Sequence, residues 1–230
     1  MLGNVIILIV TWLLLRFEHK PLNHVLGLLP AKKALLYFGI GFVGTSLLAI
    51  LTSYIFSVAA NFSWVTTPGL STSFLLKGFY EVLNSVLYEE LVFRSYLLYL
   101  AIKFVGEHKA NALSAVAFGV YHWFTFGVLG NVGMMVWVLF YTGVWGLMFA
   151  YAYSRTRSIA LPVGLHLGWN LINQLVFSES QLSIFEPVTD FQTRLLSPTE
   201  SMLYMHLPVL AFTFLVILLL TKLAPKYKID

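Results

Sequence analysis

The stretch LYEELVFRSYLLYL, residues 87–100, lies in an apolar run long enough to cross a bilayer, yet Glu89, Glu90 and Arg94 sit within it. On insertion scales each of these charges costs about 2.5–3.5 kcal/mol at the centre of a membrane helix, so three facing lipid would nearly cancel the gain from their apolar neighbours. They are therefore expected to face protein. Two later apolar stretches repeat the pattern, one with His122 and one with His166 and Asn170. The expectation is a helical membrane bundle that folds these side chains into one polar cavity.

Composition agrees: 59% of residues are hydrophobic, 10% are charged, and the mean hydropathy is +0.82, far above that of a soluble domain. At about 20 residues per crossing, 230 residues give an all-α transmembrane bundle of seven to eight helices, one membrane domain over 1–230 with no separate soluble domain. The chain has no Cys, which excludes disulfides, thiolate metal ligands and a Cys nucleophile. A net charge of +4 calls for no nucleic-acid partner.

The apolar segments read as Leu2–Leu15, Ala34–Ala60, Ser73–Phe104, Ala110–Phe126, Val132–Tyr153, Ile159–Phe177 and Met202–Thr221. The first has neither the basic flank nor the small-residue site of a cleaved signal, so it reads as an anchor or first span. The third is too long for one perpendicular crossing and is either tilted or broken, and a break would make eight elements. Basic residues fall into alternate connections: Arg16, Lys20, Lys32 and Lys33, then Lys103 and Lys109, then Arg155 and Arg157, then Lys222, Lys226 and Lys228. The opposite connections are poor in Lys and Arg; Arg194 stands there among Glu179, Glu186, Asp190 and Glu200. The positive-inside rule makes the C-terminus cytoplasmic and, for seven spans, the N-terminus external. At about 1.5 Å per residue, Glu89, His122, His166 and Asn170 lie roughly 12–22 Å from their cytoplasmic ends, one layer that regular helices can share.

Glu90 and Arg94 stand at i and i+4, acid first, the better orientation for a helical ion pair. Glu89 is turned about 100° away and has no cation on its own helix, which makes it a candidate general base once a His and a water meet it. His166 and Asn170, also at i and i+4, project from one face and can donate to a single oxygen, as an oxyanion hole requires. Gly164 and Gly168 bracket His166 in a spacing that admits a closely packed backbone or substrate strand. Phe118, one turn before His122, is placed to wall the cavity and fix the imidazole.

These residues, Glu89-Glu90-Leu91-Val92-Phe93-Arg94, Phe118 to His122 and His166 to Asn170, resemble the ordered motifs EExxxR, FxxxH and HxxxN of the CAAX-processing and bacteriocin-processing family of intramembrane proteases. The likeness covers residues 73–177, the stretch that would form the catalytic core. It implies an endopeptidase in which Glu89 and His122 activate water, His166 and Asn170 stabilise the oxyanion, and Glu90 with Arg94 supports the site. Its partners would be the lipid bilayer and a peptide or membrane-protein substrate, possibly lipidated. No cofactor is implied, although Glu89, His122 and His166 are also an ordinary catalytic zinc set. Other readings are a non-catalytic bacteriocin-immunity or scaffold protein, and a transporter, for which no inverted repeat is visible. His19, His24, His108 and His206, in loops or near helix ends, are given no role, and Lys77 with Glu81 reads as a local pair at the outer interface. The aromatic residues read as mostly lipid-facing or interfacial, so that Trp64, Trp123 and Trp169 do not point to a cofactor, and the glycines Gly39, Gly41, Gly44, Gly143 and Gly146 read as packing positions. The expected location is integral to a membrane, multi-pass, in the plasma membrane if the source is prokaryotic.

Overall fold

The computed structural model describes residues 1–178 and 183–223, so Glu179, Lys226 and Lys228 of the charge pattern lie outside the described residues. Helices follow the apolar runs: α1 (Leu2–Phe17), the single turn α2 (Asn23–Leu26), α3 (Ala31–Ala60), α4 (Thr72–Phe93), α5 (Tyr96–Val105), α6 (Glu107–Thr125), α7 (Val132–Thr156), α8 (Ala160–Leu171), the turn α9 (Pro198–Ser201) and α10 (Leu207–Leu223). A π-helical turn, Ile172–Val176, continues α8, and another, Met202–His206, links α9 to α10. The fold is all-α apart from a two-stranded ribbon, which the apolar periodicity does not predict. Its strands, β1 (Ser63–Thr66) and β2 (Phe185–Val188), pair antiparallel with Ser63 opposite Val188 and Thr66 opposite Phe185. A run of aromatic contacts from Phe56 through Phe62 and Trp64 to Phe177 and Phe185 anchors it to the helices. Among the described residues three helical runs, α2–α3, α7 and α9–α10, are long and apolar enough to cross a membrane, and α1 is a shorter apolar helix. The protein is an integral membrane protein.

The long third segment is broken after Arg94, while Glu89, His122, His166 and Asn170 all stand on regular α-helix. Its last α4 hydrogen bond runs from Arg94 N to Glu90 O, and Ser95 then leaves helical geometry at φ −113°, ψ −120°. Side chains satisfy the groups this exposes: the Ser95 hydroxyl donates to Leu91 O, and the Ser114 hydroxyl donates to Phe93 O at 3.3 Å. The break frees α5 to turn away, so that Leu98, Tyr99 and Ile102 pack on Leu15, Val25 and Tyr153. At 10 residues, about 15 Å, α5 spans half a hydrocarbon core.

The two ends of the bundle differ in chemistry. One gathers the basic connections and is tied by specific bonds: Tyr153 hydroxyl to Val25 O at 2.9 Å, Ile159 N to Leu26 O at 2.9 Å, and Arg155 paired with Glu107. Gly27 ends α2 at φ +58°, where a Cβ would come within 1.7 Å of Arg157 O; only glycine fits there. Glu18 clasps α1 to α5, accepting from Tyr96 at 2.8 Å, Tyr99 at 3.0 Å and Lys103 at 3.2 Å. The opposite end carries the β ribbon, closed by Arg194, which donates to Ala59 O and Ala60 O.

Between the ends, α3 and α8 cross at backbone contact. A Cβ on Gly41 would lie 2.7 Å from Leu165 N, one on Gly164 2.3 Å from Phe38 O, and one on Gly168 2.4 Å from Phe42 O. The small residues around His166 thus receive α3, not a substrate strand. Dispersion at this crossing fixes the rotation of α8 and hence the direction of His166.

Gly164→Ala is expected to lower stability by about 1–3 kcal/mol or more, because the facing atoms are backbone and cannot yield. Gly39→Ala, with nothing within 4 Å of its added methyl, is expected to leave the thermal midpoint of detergent-purified protein unchanged. For Glu18, burial opposes ionisation, but the bonds from Tyr96, Lys103 and Tyr99 outweigh it and lower its pKa from 4.5 to about 2. A depressed carboxylate stabilises the fold above its unfolded pKa, and that contribution fades as pH falls through the folded one. The advantage of the wild type over Glu18→Gln in thermal midpoint is therefore expected at neutral pH and should vanish between pH 4.5 and about 2.

Candidate active site

The last turn of α4, the last turn of α6 and the middle of α8 converge on one buried cluster. Glu90 and Arg94 are fully buried, and Glu89, His122 and His166 nearly so. Arg94 Nη1 donates to Glu90 Oε1 at 3.2 Å, and Nη2 donates to Gly146 O at 3.2 Å. The guanidinium also lies 4.1 Å from the Phe118 ring centre and 5.2 Å from that of Phe149, a stack that suits a weakly hydrated planar cation. Gly146 makes room, since a Cβ there would meet Phe118 at 3.0 Å and Arg94 at 3.2 Å.

Glu90 holds a second partner that helical spacing does not reveal: His166 Nδ1 donates to the same Oε1 at 2.8 Å. The pair with Arg94 is thus one arm of a bridge that also orients a histidine. His122 Nδ1 donates to Phe118 O at 2.8 Å; a carbonyl only accepts, so the proton is on Nδ1. Both rings consequently turn Nε2 inward. Both face Glu89 Oε2, at 3.8 Å from His122 Nε2 and 3.9 Å from His166 Nε2. Glu89 Oε1 accepts the Ser85 hydroxyl at 3.1 Å, whereas Oε2 is buried with no hydrogen-bond partner among the described residues.

This cluster forms one wall of a cavity of about 310 Å³. Asn170 lines it with His166, one turn further along α8, and Phe118 lies under the His122 ring at 4.5 Å between centres. His166 is committed to Glu90 through Nδ1, which leaves Nε2 as the nitrogen that faces the cavity beside Asn170. Trp169 lines the cavity against Trp145, 4.9 Å between ring centres. Tyr121, Tyr141, Thr142 and Gln174 also line it. Sequence reasoning misses these four, because hydroxyls, amides and aromatic rings are common in membrane helices and carry no spacing signal. Of the other histidines, His24 packs edge-on against Tyr99, His108 pairs with the Tyr151 hydroxyl at 2.8 Å, and His206 sits between Trp137 and Tyr141.

The donor set also bears on zinc. Both imidazoles place Nδ1–H on an oxygen acceptor, as histidine metal ligands do. However, ligand atoms at 2.0–2.1 Å from a tetrahedral zinc stand about 3.3 Å apart, less than the 3.8 and 3.9 Å found here. Among the described residues no group of three His, Asp or Glu is disposed to hold a metal ion. The same gaps lie within reach of one water hydrogen-bonded to the carboxylate and an imidazole.

Breaking the buried bridge from one side should be costly. Arg94→Met is expected to lower stability by about 3–5 kcal/mol, because it leaves Glu90 without its counter-charge. Adding Glu90→Gln should restore part of that loss in thermal unfolding, and a double variant no more stable than Arg94→Met would contradict the pairing.

Residues 71–172, which contain every motif residue named above, match the family model described as type II CAAX prenyl endopeptidase, Rce1-like. Comparisons with curated proteins and with solved structures give no match.

Proposed function

We propose, from the match of residues 71–172 to the Rce1-like model of type II CAAX prenyl endopeptidases, that the protein is an intramembrane endopeptidase working through a water held by Glu89. The observation that carries this reading is the convergence of Glu89 Oε2 with the Nε2 atoms of His122 and His166. A water there donates to Glu89 and to His122 Nε2, which is free to accept because Nδ1 is bonded to Phe118 O. The water oxygen attacks the peptide carbonyl carbon as Glu89 takes its proton, and Glu89 returns that proton to the leaving amine nitrogen. No acyl-enzyme forms. The Asn170 amide donates to the developing oxyanion. His166, held by Glu90 through Nδ1, turns Nε2 toward the same place and adds a second donor there when that nitrogen carries a proton.

In this reading α1, α3, α4, α6, α7, α8 and α10 cross the bilayer and α5 lies at the basic end, which is cytoplasmic. That gives seven crossings, an external N-terminus and a cytoplasmic C-terminus.

A zinc-dependent form of the same protease is the second reading, favoured by the Nδ1 partners of the two histidines. There Glu89, His122 and His166 would be the ligands, and the metal would polarise the carbonyl and lower the pKa of its bound water.

Hydrolysis by detergent-purified protein of a quenched prenylated CAAX peptide and a pool of hydrophobic peptides separates the readings. Glu89→Gln is expected to lower the rate by roughly 10²–10⁴-fold, the usual worth of a general base, while exhaustive chelation leaves the wild type unchanged. Activity abolished by chelation and restored by zinc would select the metal form. Full activity in Glu89→Gln would overturn both.

A further inference from the structure

The end of α1 carries basic side chains that the packing of the bundle does not use. His19 stands in the left-handed region at φ +55°, and the chain folds back there so that Glu18 N and Lys20 N donate to Leu15 O and His19 N donates to Arg16 O. Two carbonyls of the last turn are thereby satisfied by backbone and do not draw in the nearby cations. Arg16 and His19 remain exposed, and with Trp12, Lys20 and Pro21 they line a cavity of about 500 Å³ at the basic end.

Charge in this cavity is of one sign. Glu18, the neighbouring acid, is turned to α5, where Oε1 accepts from Tyr96 and Oε2 from Tyr99 and Lys103. Among the described residues no acid lines the cavity. Lys20 is partly committed to the same clasp, donating to the Tyr99 hydroxyl at 2.6 Å and standing 3.6 Å from Glu18 Oε2. An ammonium has three protons, so it keeps one to offer. The Arg16 guanidinium lies over the Trp12 ring, 5.7 Å from its centre, a contact that places the group without using any of its N–H donors. A planar fork of donors beside an imidazole and an ammonium fits a phosphate group.

The face of α1 that leads to the cavity indicates what carries that phosphate. Val5, Ile9, Trp12 and Arg16 follow one another at steps of four, three and four residues, so they form one stripe along the helix. The stripe is distinct from the face that buries Asn4, Thr11 and Leu15. Val5, Ile9 and Trp12 are all exposed, and on a membrane helix an exposed apolar stripe meets lipid tails. Its order is that of a phospholipid: hydrocarbon, then an indole at the level of the headgroups, then basic groups. We infer that the cavity at the end of α1 binds the phosphate of an anionic phospholipid from the leaflet at the basic end, with the acyl chains along Val5, Ile9 and Trp12. A free phosphate would meet the same donors but gain nothing from the stripe.

The test is a titration of full-length protein in neutral detergent with phosphatidylglycerol, the bound lipid being counted by native mass spectrometry. Phosphatidylcholine and inorganic phosphate form parallel arms. The expected result is one saturable phosphatidylglycerol per chain, held more tightly than phosphatidylcholine and not displaced by an equal concentration of inorganic phosphate. A basic residue near an anionic lipid surface is worth roughly fivefold in binding, so Arg16→Gln with His19→Gln should weaken phosphatidylglycerol about tenfold. Lys33→Gln, at an exposed lysine elsewhere on the same end, should leave it unchanged. Equal weakening by Lys33→Gln would reduce the effect to diffuse surface charge and overturn the inference. Phosphatidylcholine bound as tightly as phosphatidylglycerol, or displacement by inorganic phosphate, would overturn it as well. If the double variant loses its monodisperse elution peak, Arg16→Gln alone takes its place with a loss of roughly fivefold expected, and unchanged binding there would contradict the site. Lipid counting is independent of peptide hydrolysis, so the site stands or falls apart from the protease reading.

Discussion

One carboxylate oxygen organises the centre of this protein. Glu90 Oε1 accepts from Arg94 at 3.2 Å and from His166 at 2.8 Å, so α4 and α8 are joined where neither water nor lipid can compete. Arg94 in turn reaches Gly146 on α7 and stacks on Phe118 of α6. Four helices are thereby referred to a single buried anion. The energetics make the arrangement all-or-none: a buried ion pair adds little net stability when complete, but leaves an uncompensated charge when either partner is lost. The bridge is better understood as a device for position than as a source of stability. It holds the Nδ1 proton of His166, and with Phe118 O doing the same for His122, both Nε2 atoms turn toward Glu89.

Much of this is legible in the chain. Three charges in an apolar run have to face inward, and the i, i+4 spacing of Glu90 and Arg94 is enough to pair them. The same geometry of about 100° per residue separates Glu89 from that pair and leaves it for other partners. What spacing does not supply is anything between helices. Nothing in HLGWN says that His166 bonds Glu90, because the contact depends on the α3–α8 crossing and on the rotation it gives α8. The break at Ser95 is visible in the sequence only as excess length. Its cause, a serine hydroxyl returning to Leu91 O while Ser114 takes Phe93 O, is a tertiary arrangement.

The ribbon and the cavity wall show a different kind of limit. The strands Ser63–Thr66 and Phe185–Val188 are short, lie in connections and are held by aromatic packing between segments distant in sequence. The stripe Lys77–Glu81–Ser85–Glu89 is present in the sequence, but two residues at a time it looks like a surface pair and a separate catalytic acid. Lys77, Glu81 and Ser85 line one cavity with Gln174 and Leu175, a grouping that spacing within α4 does not reveal. A polar periodicity on a membrane helix carries the same information as an apolar periodicity on a soluble one: it marks the face turned away from the bulk phase.

The central claim is that each imidazole commits its Nδ1 proton to a fixed acceptor, so that Nε2 of both rings faces Glu89 and that of His122 is free to accept from water. Nitrogen-15 NMR of histidine-labelled protein, with His122→Gln and His166→Gln for assignment, reads the protonation of each ring nitrogen directly. The expected result at neutral pH is Nδ1 protonated on both rings and Nε2 bare on His122. A His122 ring protonated on Nε2, or a His166 ring with Nδ1 bare, would contradict the account.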